Sequence, residues 1–235
     1  MHLSPKAAQD FSRPLGRELA WTTSWGITTR LIGGIVMAHG DDLGLRVPPR
    51  VAAVQVTVLM VREGDGVAEI AHKLTAALQG ADVRVKLDER VDVPFGRRAI
   101  DAELKGVPVR IEVGPRDIAE SRVIVVRRVT GERTAVPIDS VMSVVTAALE
   151  ADQKTLYEEA LVQQRRRTAD VASVSEAIEA ASTGWARLPW SEVGSEGEAE
   201  LNAQGITVRC LLRADGGVPG SEDEPDLVAV VGRAY

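Results

Sequence analysis

Acidic and basic side chains are closely mixed in the middle of the chain, between residues 84 and 133. This segment holds twelve Lys or Arg residues and nine Asp or Glu residues, which gives a net charge of +3. Carboxylates accept hydrogen bonds from the N–H edge of guanine, and Arg or Lys side chains reach its O6 and N7 atoms or a phosphate. A site with both charges therefore suits the reading of a base, whereas phosphate binding alone requires only cations. The opposing interpretation is a solvated sheet edge whose salt bridges stabilise it little.

A second candidate for chemistry is Arg30, which follows Thr28 and Thr29 at the predicted start of a helix. A guanidinium beside a helix N-terminus suits a polyphosphate, because its fork binds two oxygens and the helix dipole adds positive field. The threonines either bond a nucleotide or cap the helix, and capping is the prediction for one of them. The alternative for Arg30 is an ordinary surface arginine.

Other chemical patterns in the sequence are weak. His39 and Asp41 form an isolated His-x-Asp pattern, which we interpret as a helix end with its imidazole near the last carbonyls. Histidines stand only at positions 2, 39 and 72, so no Ser-His-Asp or Cys-His set is credible. No glycine-rich phosphate loop lies between a strand and a helix. The run of arginines at 165–167 either touches an RNA backbone or forms a solvated helix face.

Apolar spacing predicts an α/β fold with a mixed sheet. Residues 51–61 form a near-continuous apolar run, which predicts a strand buried on both faces. Residues 65–78 have apolar side chains at helical spacing, and residues 139–181 predict a long helix or a closely joined pair. The remaining predictions are helices at 30–38, 98–104 and 196–203, strands at 21–25, 83–87, 107–113, 122–129, 133–138, 206–212 and 227–231, and an acidic loop at 214–226.

Composition limits the function classes. The 235 residues carry a formal net charge of −6, which argues against nonspecific coating of nucleic acid but allows a local basic face. Residues 191–226 have a net charge of −7, so contact with RNA is expected in the middle segment. The single cysteine, Cys210, cannot form a disulfide within the chain, which predicts a cytoplasmic location. Neither a signal peptide nor an apolar run of the roughly 20 residues that a membrane helix needs is present, so no membrane partner is expected.

Four strings in the sequence carry a family resemblance. They are TSWGITTRLIGG at 23–34, HGDDLGLRVPPR at 39–50, ELKGVPVRIEVGPRD at 103–117 and the terminal GRAY at 232–235. The first resembles motif 3 of class II prolyl-tRNA synthetases of the archaeal and eukaryotic type, and the others continue the match in order. The resemblance covers residues 8–235, so it describes the C-terminal half of such an enzyme.

The resemblance implies three domains. Residues 1–49 would be the end of the class II catalytic domain, an antiparallel sheet with flanking helices. Residues 50–150 would be an α/β anticodon-binding domain with a mixed sheet. Residues 151–235 would contain a long helix and a small α/β C-terminal domain.

The resemblance also implies roles for individual residues. Trp25 and Gly26 would line a proline pocket, although a core tryptophan is the alternative for Trp25. ATP would be bound by three residues, Thr28, Thr29 and Arg30. The carboxylate of Tyr235 would point back toward the active site, unless the end of the chain is frayed. The two adjacent guanines that proline anticodons share would be read by Asp88, Arg90, Arg98, Glu103, Lys105, Arg110, Glu112 and Arg116.

Three features depart from the family pattern. The family's zinc-binding cysteines would fall near Ser191, near Cys210 and within residues 216–226, and only Cys210 is present. Because structural zinc needs four ligands of Cys or His type, we expect no zinc. Where the family has proline and lysine, the sequence reads FGRR at 95–98, and arginine is not a neutral replacement for lysine at a base contact. Motifs 1 and 2 should lie upstream of the matched region, so the chain alone is not expected to catalyse a reaction.

The function that the sequence predicts is therefore that of a proline–tRNA ligase fragment or subunit. Proline tRNA is the expected partner, together with an N-terminal synthetase half that carries motifs 1 and 2. ATP and magnesium are expected only in a complete catalytic domain. A homodimer is a further candidate assembly. The alternatives are a stand-alone tRNA-binding or regulatory module without catalysis, and a nonfunctional remnant that still folds.

Overall fold

The computed structural model of the chain describes residues 26–233, and the predicted strand at residues 21–25 lies outside them. The first helix, α1, spans Arg30–His39, one residue beyond its predicted end. Thr29 occupies the N-cap position without a side-chain bond, while Thr28 Oγ1 accepts a long hydrogen bond of 3.4 Å from the Arg30 amide. A tight turn follows, in which Asp41 pairs with Gly44.

The middle of the chain folds around a five-stranded mixed sheet, as predicted. Its strands are β1 (Val56–Met60), β2 (Val85–Asp88), β3 (Val109–Val113), β4 (Arg122–Arg127) and β5 (Arg133–Pro137). They lie in the order β2-β1-β3-β4-β5, with β1 parallel to both neighbours and the last two strands antiparallel. The carboxyl ends of β1, β2 and β3 therefore meet at one edge, which is where open α/β sheets bind ligands.

Helices cover both faces of this sheet. They are α2 (Val67–Gly80), α3 (Phe95–Leu104), the short α4 (Pro115–Ala119), a 3-10 turn (Ile138–Ser140) and the long α5 (Val141–Arg166). The apolar sides of α2 and α5 pack against one face of the sheet and form its main core. The other face carries polar side chains, and α3 lies over it, as the bond from Arg110 Nη1 to the Ala99 carbonyl shows.

A second sheet of four strands follows α5. Its strands are β6 (Thr168–Asp170), β7 (Trp185–Pro189), β8 (Ile206–Leu212) and β9 (Val228–Arg233), in the order β6-β7-β9-β8. The helices α6 (Val174–Ala181) and α7 (Trp190–Ala203), the latter interrupted at Gly194, belong to it and bury a small core of Ala, Val, Leu and Ile side chains. The predicted acidic loop at 214–226 joins β8 to β9.

The secondary structure differs from the predictions at several places. The pattern over 139–181 is not one helix or a directly joined pair, because the strand β6 separates α5 from α6. The strand β7 and the helix α4 were not predicted, and α7 begins six residues earlier than expected. β1 begins at Val56 and not at residue 51. Before β1, the carbonyls of Pro49 and Ala52 accept hydrogen bonds from the Arg84 guanidinium, at 2.9 and 2.7 Å, in place of a strand partner.

Every helix within residues 26–233 is too short or too polar to cross a membrane.

Candidate nucleic-acid interface

The polar face of the first sheet places two acidic residues beside the end of β1. Leu59 pairs in register with Asp88 on one side and with Glu112 on the other. Side chains paired in register point to the same face of a sheet, so both carboxylates lie on the face that α3 covers. Both are buried, with 6% of Asp88 and 1% of Glu112 exposed. Buried carboxylates need charged or polar partners, and arginines supply them on both sides.

Asp88 is held by the neighbouring Arg90. The Arg90 guanidinium donates to Oδ2 at 2.6 Å and to Oδ1 at 3.1 Å, and its backbone amide also donates to Oδ1 at 3.1 Å. The hydrogen bond from the Arg90 side chain is the main cause that lowers the pKa of Asp88. Asp88 is therefore ionised at neutral pH, and most of its acceptor capacity is already used.

Arg98 lies inside the structure, with only 1% of its side chain exposed. Its Nη2 donates to the Met60 carbonyl at 2.9 Å and its Nε to the Val93 carbonyl at 2.9 Å, and Nη1 lies 3.5 Å from the Asp88 carboxylate. This guanidinium therefore joins the ends of β1 and β2 to α3. The sequence analysis predicted that Arg98 contacts the anticodon. In the structure, its N–H groups donate instead to backbone carbonyls of the protein.

Glu112 lies between two arginines on the other side of β1. Arg110 Nε donates to Oε1 at 3.0 Å, Arg133 Nη1 donates to the same oxygen at 3.0 Å, and Arg133 Nη2 lies 2.5 Å from Oε2. Arg133 is the more accessible of the two, with 55% of its side chain exposed against 13% for Arg110. The carboxylate thus positions two cations beside α3, one of which faces solvent.

The remaining three predicted anticodon residues are more open. Lys105 is exposed and its Nζ lies 2.8 Å from Asp101 Oδ2, one turn earlier on α3. Glu103 is partly exposed at the opposite side of the same helix, and Arg116 is exposed on α4. The structure therefore brings Asp88, Arg90 and Lys105 to one side of α3, brings Glu103, Arg110 and Glu112 to the other, and leaves Arg116 apart from both groups.

A cavity of about 280 Å³ opens between α3 and the β1–β2 edge. Its apolar lining comes from the connector before β1 and from the last turn of α3. Its polar lining contains Asp88, Arg98 and Lys105, which were predicted from the sequence, and also Lys86, Asp101 and Thr57, which were not. The volume is close to the lower end of ordinary ligand pockets, so a flat group such as one nucleobase is a suitable size. Asp101 has 46% of its side chain exposed, against 5% for Asp88, and is the more accessible of the two carboxylates that line the cavity.

Arg128 connects α3 to the turn that follows α1. Its guanidinium donates to the Asp41 carboxylate at 2.5 and 2.9 Å and to the Glu103 carbonyl at 3.1 Å. The Arg128 hydrogen bond is the main cause that lowers the pKa of Asp41. Burial lowers the pKa of His39, which is the last residue of α1. His39 therefore ends a helix and Asp41 pairs with Arg128, in agreement with the interpretation of this pattern as a helix end.

The residues proposed for ATP and proline lie at the start of the described chain. Gly26, Thr28, Thr29 and Arg30 are all exposed, and no ion pair joins Arg30 to another residue within 26–233. Trp25 and Tyr235 lie outside the described residues. Cys210 is a free, exposed thiol, and across residues 26–233 no three His, Cys, Asp or Glu side chains are grouped to hold a metal ion.

Comparison with known proteins identifies the relatives of this chain. Residues 55–148 match the family model of the anticodon binding domain. The chain is 49% identical over 245 aligned positions to a proline–tRNA ligase of Frankia casuarinae and 50% identical over 228 to proline–tRNA ligase 2 of Streptomyces avermitilis. A solved prolyl-tRNA synthetase from Cryptosporidium parvum, in complex with L-proline and AMP, matches it with a TM-score of 0.75 and 30% identity. This chain is homologous to a C-terminal portion of class II prolyl-tRNA synthetases.

The matches cover nearly all of this chain but only about half of each relative. The alignments cover 100% and 97% of this chain but only 52% and 48% of the two ligases, and the solved synthetase is covered to 47%. The chain therefore spans about half the length of the prolyl-tRNA synthetases that it matches. The predicted family resemblance and the predicted fold class are confirmed.

Proposed function

We propose that this chain binds the anticodon of proline tRNA as the anticodon-recognition part of a proline–tRNA ligase. The observation that carries the proposal is the match of residues 55–148 to the anticodon binding domain, which includes α3 and most of the residues that line the cavity beside it. The mixed charges of that cavity support the reading of bases in preference to simple phosphate binding.

The cavity suits guanine for a chemical reason. Guanine presents two N–H donors on its Watson–Crick edge, and a carboxylate accepts both. Asp101 offers such a carboxylate at the cavity wall, while Lys105 and Lys86 supply cations for O6, N7 or a phosphate. Arg90 and Arg133 are exposed cations at the two sides of α3. Arg98 positions the strand ends, and Glu112 positions the arginines beside it. Glu103, Arg110 and Arg116 remain proposed contacts.

The catalytic contribution of this chain is also a proposal. Arg30 stands exposed at the N-terminus of α1, an arrangement that fits a phosphate group. With Thr28 and Thr29 it would hold ATP, and Trp25 and Gly26 would line the proline pocket. Bound there with magnesium, ATP would supply the adenylyl group that is transferred to the proline carboxylate, with pyrophosphate as the leaving group. This requires the half of the ligase that carries motifs 1 and 2, as a partner or as part of a longer chain.

The domain division at residues 49 and 150 is retained as part of this proposal. The second boundary falls within α5, which runs without interruption from Val141 to Arg166. The long helix therefore belongs to both neighbouring units, and it connects the anticodon-binding sheet to the second sheet.

Replacement of Asp101 by Asn tests the proposed guanine contact. The amide keeps the shape of the side chain but replaces one carboxylate acceptor by a donor, which opposes the guanine N–H groups. We expect the affinity for proline tRNA to fall about tenfold, since one good base contact provides about 1–3 kcal/mol of discrimination. The measurement is a binding titration at fixed salt, with Glu69→Gln on the opposite face of the sheet as the control.

The control variant should bind as the unaltered chain does, because Glu69 is exposed on α2. The Asp101 variant should also lose preference for guanine, so its affinity for a tRNA with altered anticodon bases should change little. An equal affinity of both variants for proline tRNA would exclude Asp101 from the reading of the anticodon.

A further inference from the structure

One aromatic side chain lies on the uncovered face of the second sheet. Trp185 of β7 pairs in register with Thr168 of β6 and Gly232 of β9, so these three residues share a face. The helices α6 and α7 pack with Ala186 and Leu188, which alternate to the opposite face. Trp185 keeps 39% of its surface exposed, although buried aromatic residues contribute strongly to small cores.

The backbone of Gly232 provides a flat support for this indole. A side chain at Gly232 would place its Cβ 2.6 Å from Trp185 Cε3, so the ring lies directly against the glycine. A ring that is supported on one side and exposed on the other can accept a second flat group by stacking.

A run of three arginines adjoins this tryptophan. Arg165 and Arg166 end α5, and the carbonyl of Arg167 accepts a 2.7 Å hydrogen bond from the Trp185 amide. All three arginines are exposed, and no carboxylate within residues 26–233 forms an ion pair with their guanidinium groups.

The nearby acids do not neutralise this run. Glu158 pairs with Lys154, Glu159 pairs with Arg46, and Asp170 pairs with Arg187. Cations at a helix C-terminus are favoured by the helix dipole, which explains Arg165 and Arg166 in part. The dipole does not account for an exposed tryptophan beside them. Three exposed arginines therefore stand at the end of α5, and the backbone of Arg167 is bonded to the strand that carries Trp185, in a chain whose net charge is −6.

We propose that Arg165, Arg166, Arg167 and Trp185 form a second RNA-binding surface, which contacts the bound tRNA away from its anticodon. The arginines pair with phosphates, and Trp185 stacks with an unpaired base or a ribose. The surface adds affinity without reading sequence, since neither contact distinguishes one base from another. This inference rests on the proposed function, because it requires that the chain binds tRNA.

The test uses the full chain and a proline tRNA transcript. The variant Arg165→Gln/Arg166→Gln removes two cations, and Arg62→Gln/Lys73→Gln removes two exposed cations from the first half of the chain as the matched control. We expect the first variant to bind about tenfold more weakly at low salt. The slope of log affinity against log salt should become shallower by about 1–2, since each lost phosphate contact removes about 0.7–0.9.

A second variant, Trp185→Leu, tests the stacking contact. It should weaken binding by about fivefold or more, because base–aromatic stacking contributes about 1–3 kcal/mol per base. Its melting temperature and circular dichroism spectrum report whether the second sheet remains folded. In each variant, the ratio of affinities for the normal and altered anticodons should equal that of the unaltered chain.

The outcomes separate this inference from the proposed function. If the arginine variant matches its control in affinity and salt slope while anticodon selectivity persists, the second surface is refuted and the proposed function stands. A tryptophan variant that remains folded and binds normally would likewise refute the stacking contact and leave this face to a protein partner. If the unaltered chain does not bind tRNA, both proposals fall.

Discussion

Replacement of Arg98 by Met is expected to destabilise the chain by about 3–5 kcal/mol, the usual cost of removing one partner from a buried ion pair. Two effects combine in this estimate. The Met60 and Val93 carbonyls lose their donor, and the Asp88 carboxylate loses a neighbouring positive charge while it remains buried. Because whole domains are stable by only about 5–15 kcal/mol, this variant should unfold at a far lower urea concentration.

Arg97→Met is the matched control for this prediction. Arg97 precedes Arg98 on α3 and is exposed, and neither an ion pair nor a side-chain hydrogen bond joins it to another residue within 26–233. Its replacement should change the free energy of unfolding by no more than about 0.5 kcal/mol. Addition of Asp88→Asn to the Arg98 variant should recover part of the loss, because the buried negative charge is then removed. Equal stability of the two single variants would show that Arg98 does not hold the strand ends.

The second large effect is expected at Asp152, which is fully buried on α5. Its Oδ1 accepts hydrogen bonds from Arg127 Nη2 at 2.5 Å and from Arg127 Nε at 3.2 Å. This contact raises the pKa of Arg127, so the guanidinium is charged at every accessible pH. Asp152→Ala removes the partner of that charge and leaves a space in the core, which we expect to cost about 2–4 kcal/mol.

The estimate for Asp152 is lower than for Arg98 because Arg127, the charge left behind, is partly exposed to solvent. Its side chain is 21% exposed and its Nη1 also pairs with Glu132 at 3.2 Å. Glu150→Ala, on the exposed side of the same helix, is the control and should have almost no effect. Denaturant unfolding measures both variants. If Asp152→Ala proves as stable as Glu150→Ala, the ion pair does not fasten α5 to the sheet.

Much of the fold follows from apolar spacing. The pattern of the first half gave the order of strands and helices and the mixed sheet, because its elements are long enough to show their periodicity. The strand β6 could not be predicted in this way, since Thr-Ala-Asp contains no apolar alternation and pairs only with β7. Tertiary pairing, and not local preference, makes these three residues a strand.

The candidate site was predictable as a region but not residue by residue. The segment of mixed charge, residues 84–133, lies within the match to the anticodon binding domain, and charge is visible in sequence. The burial of Arg98 was not visible, since arginines are almost never fully buried unless they are paired. Asp101 and Lys86 became candidates only when α3 was seen to lie over β1 and β2, since their shared cavity depends on that packing.

The most direct test of the central claim is the affinity of the unaltered chain for two tRNAs at fixed salt. One is a proline tRNA transcript, and the other is the same transcript with both shared anticodon guanines replaced. If the chain reads the anticodon, its affinity should fall by about tenfold to a hundredfold or more for the altered tRNA, because each lost base contact costs about 1–3 kcal/mol. Equal affinity for both tRNAs, or no binding to either, would contradict the assignment of anticodon recognition to this chain.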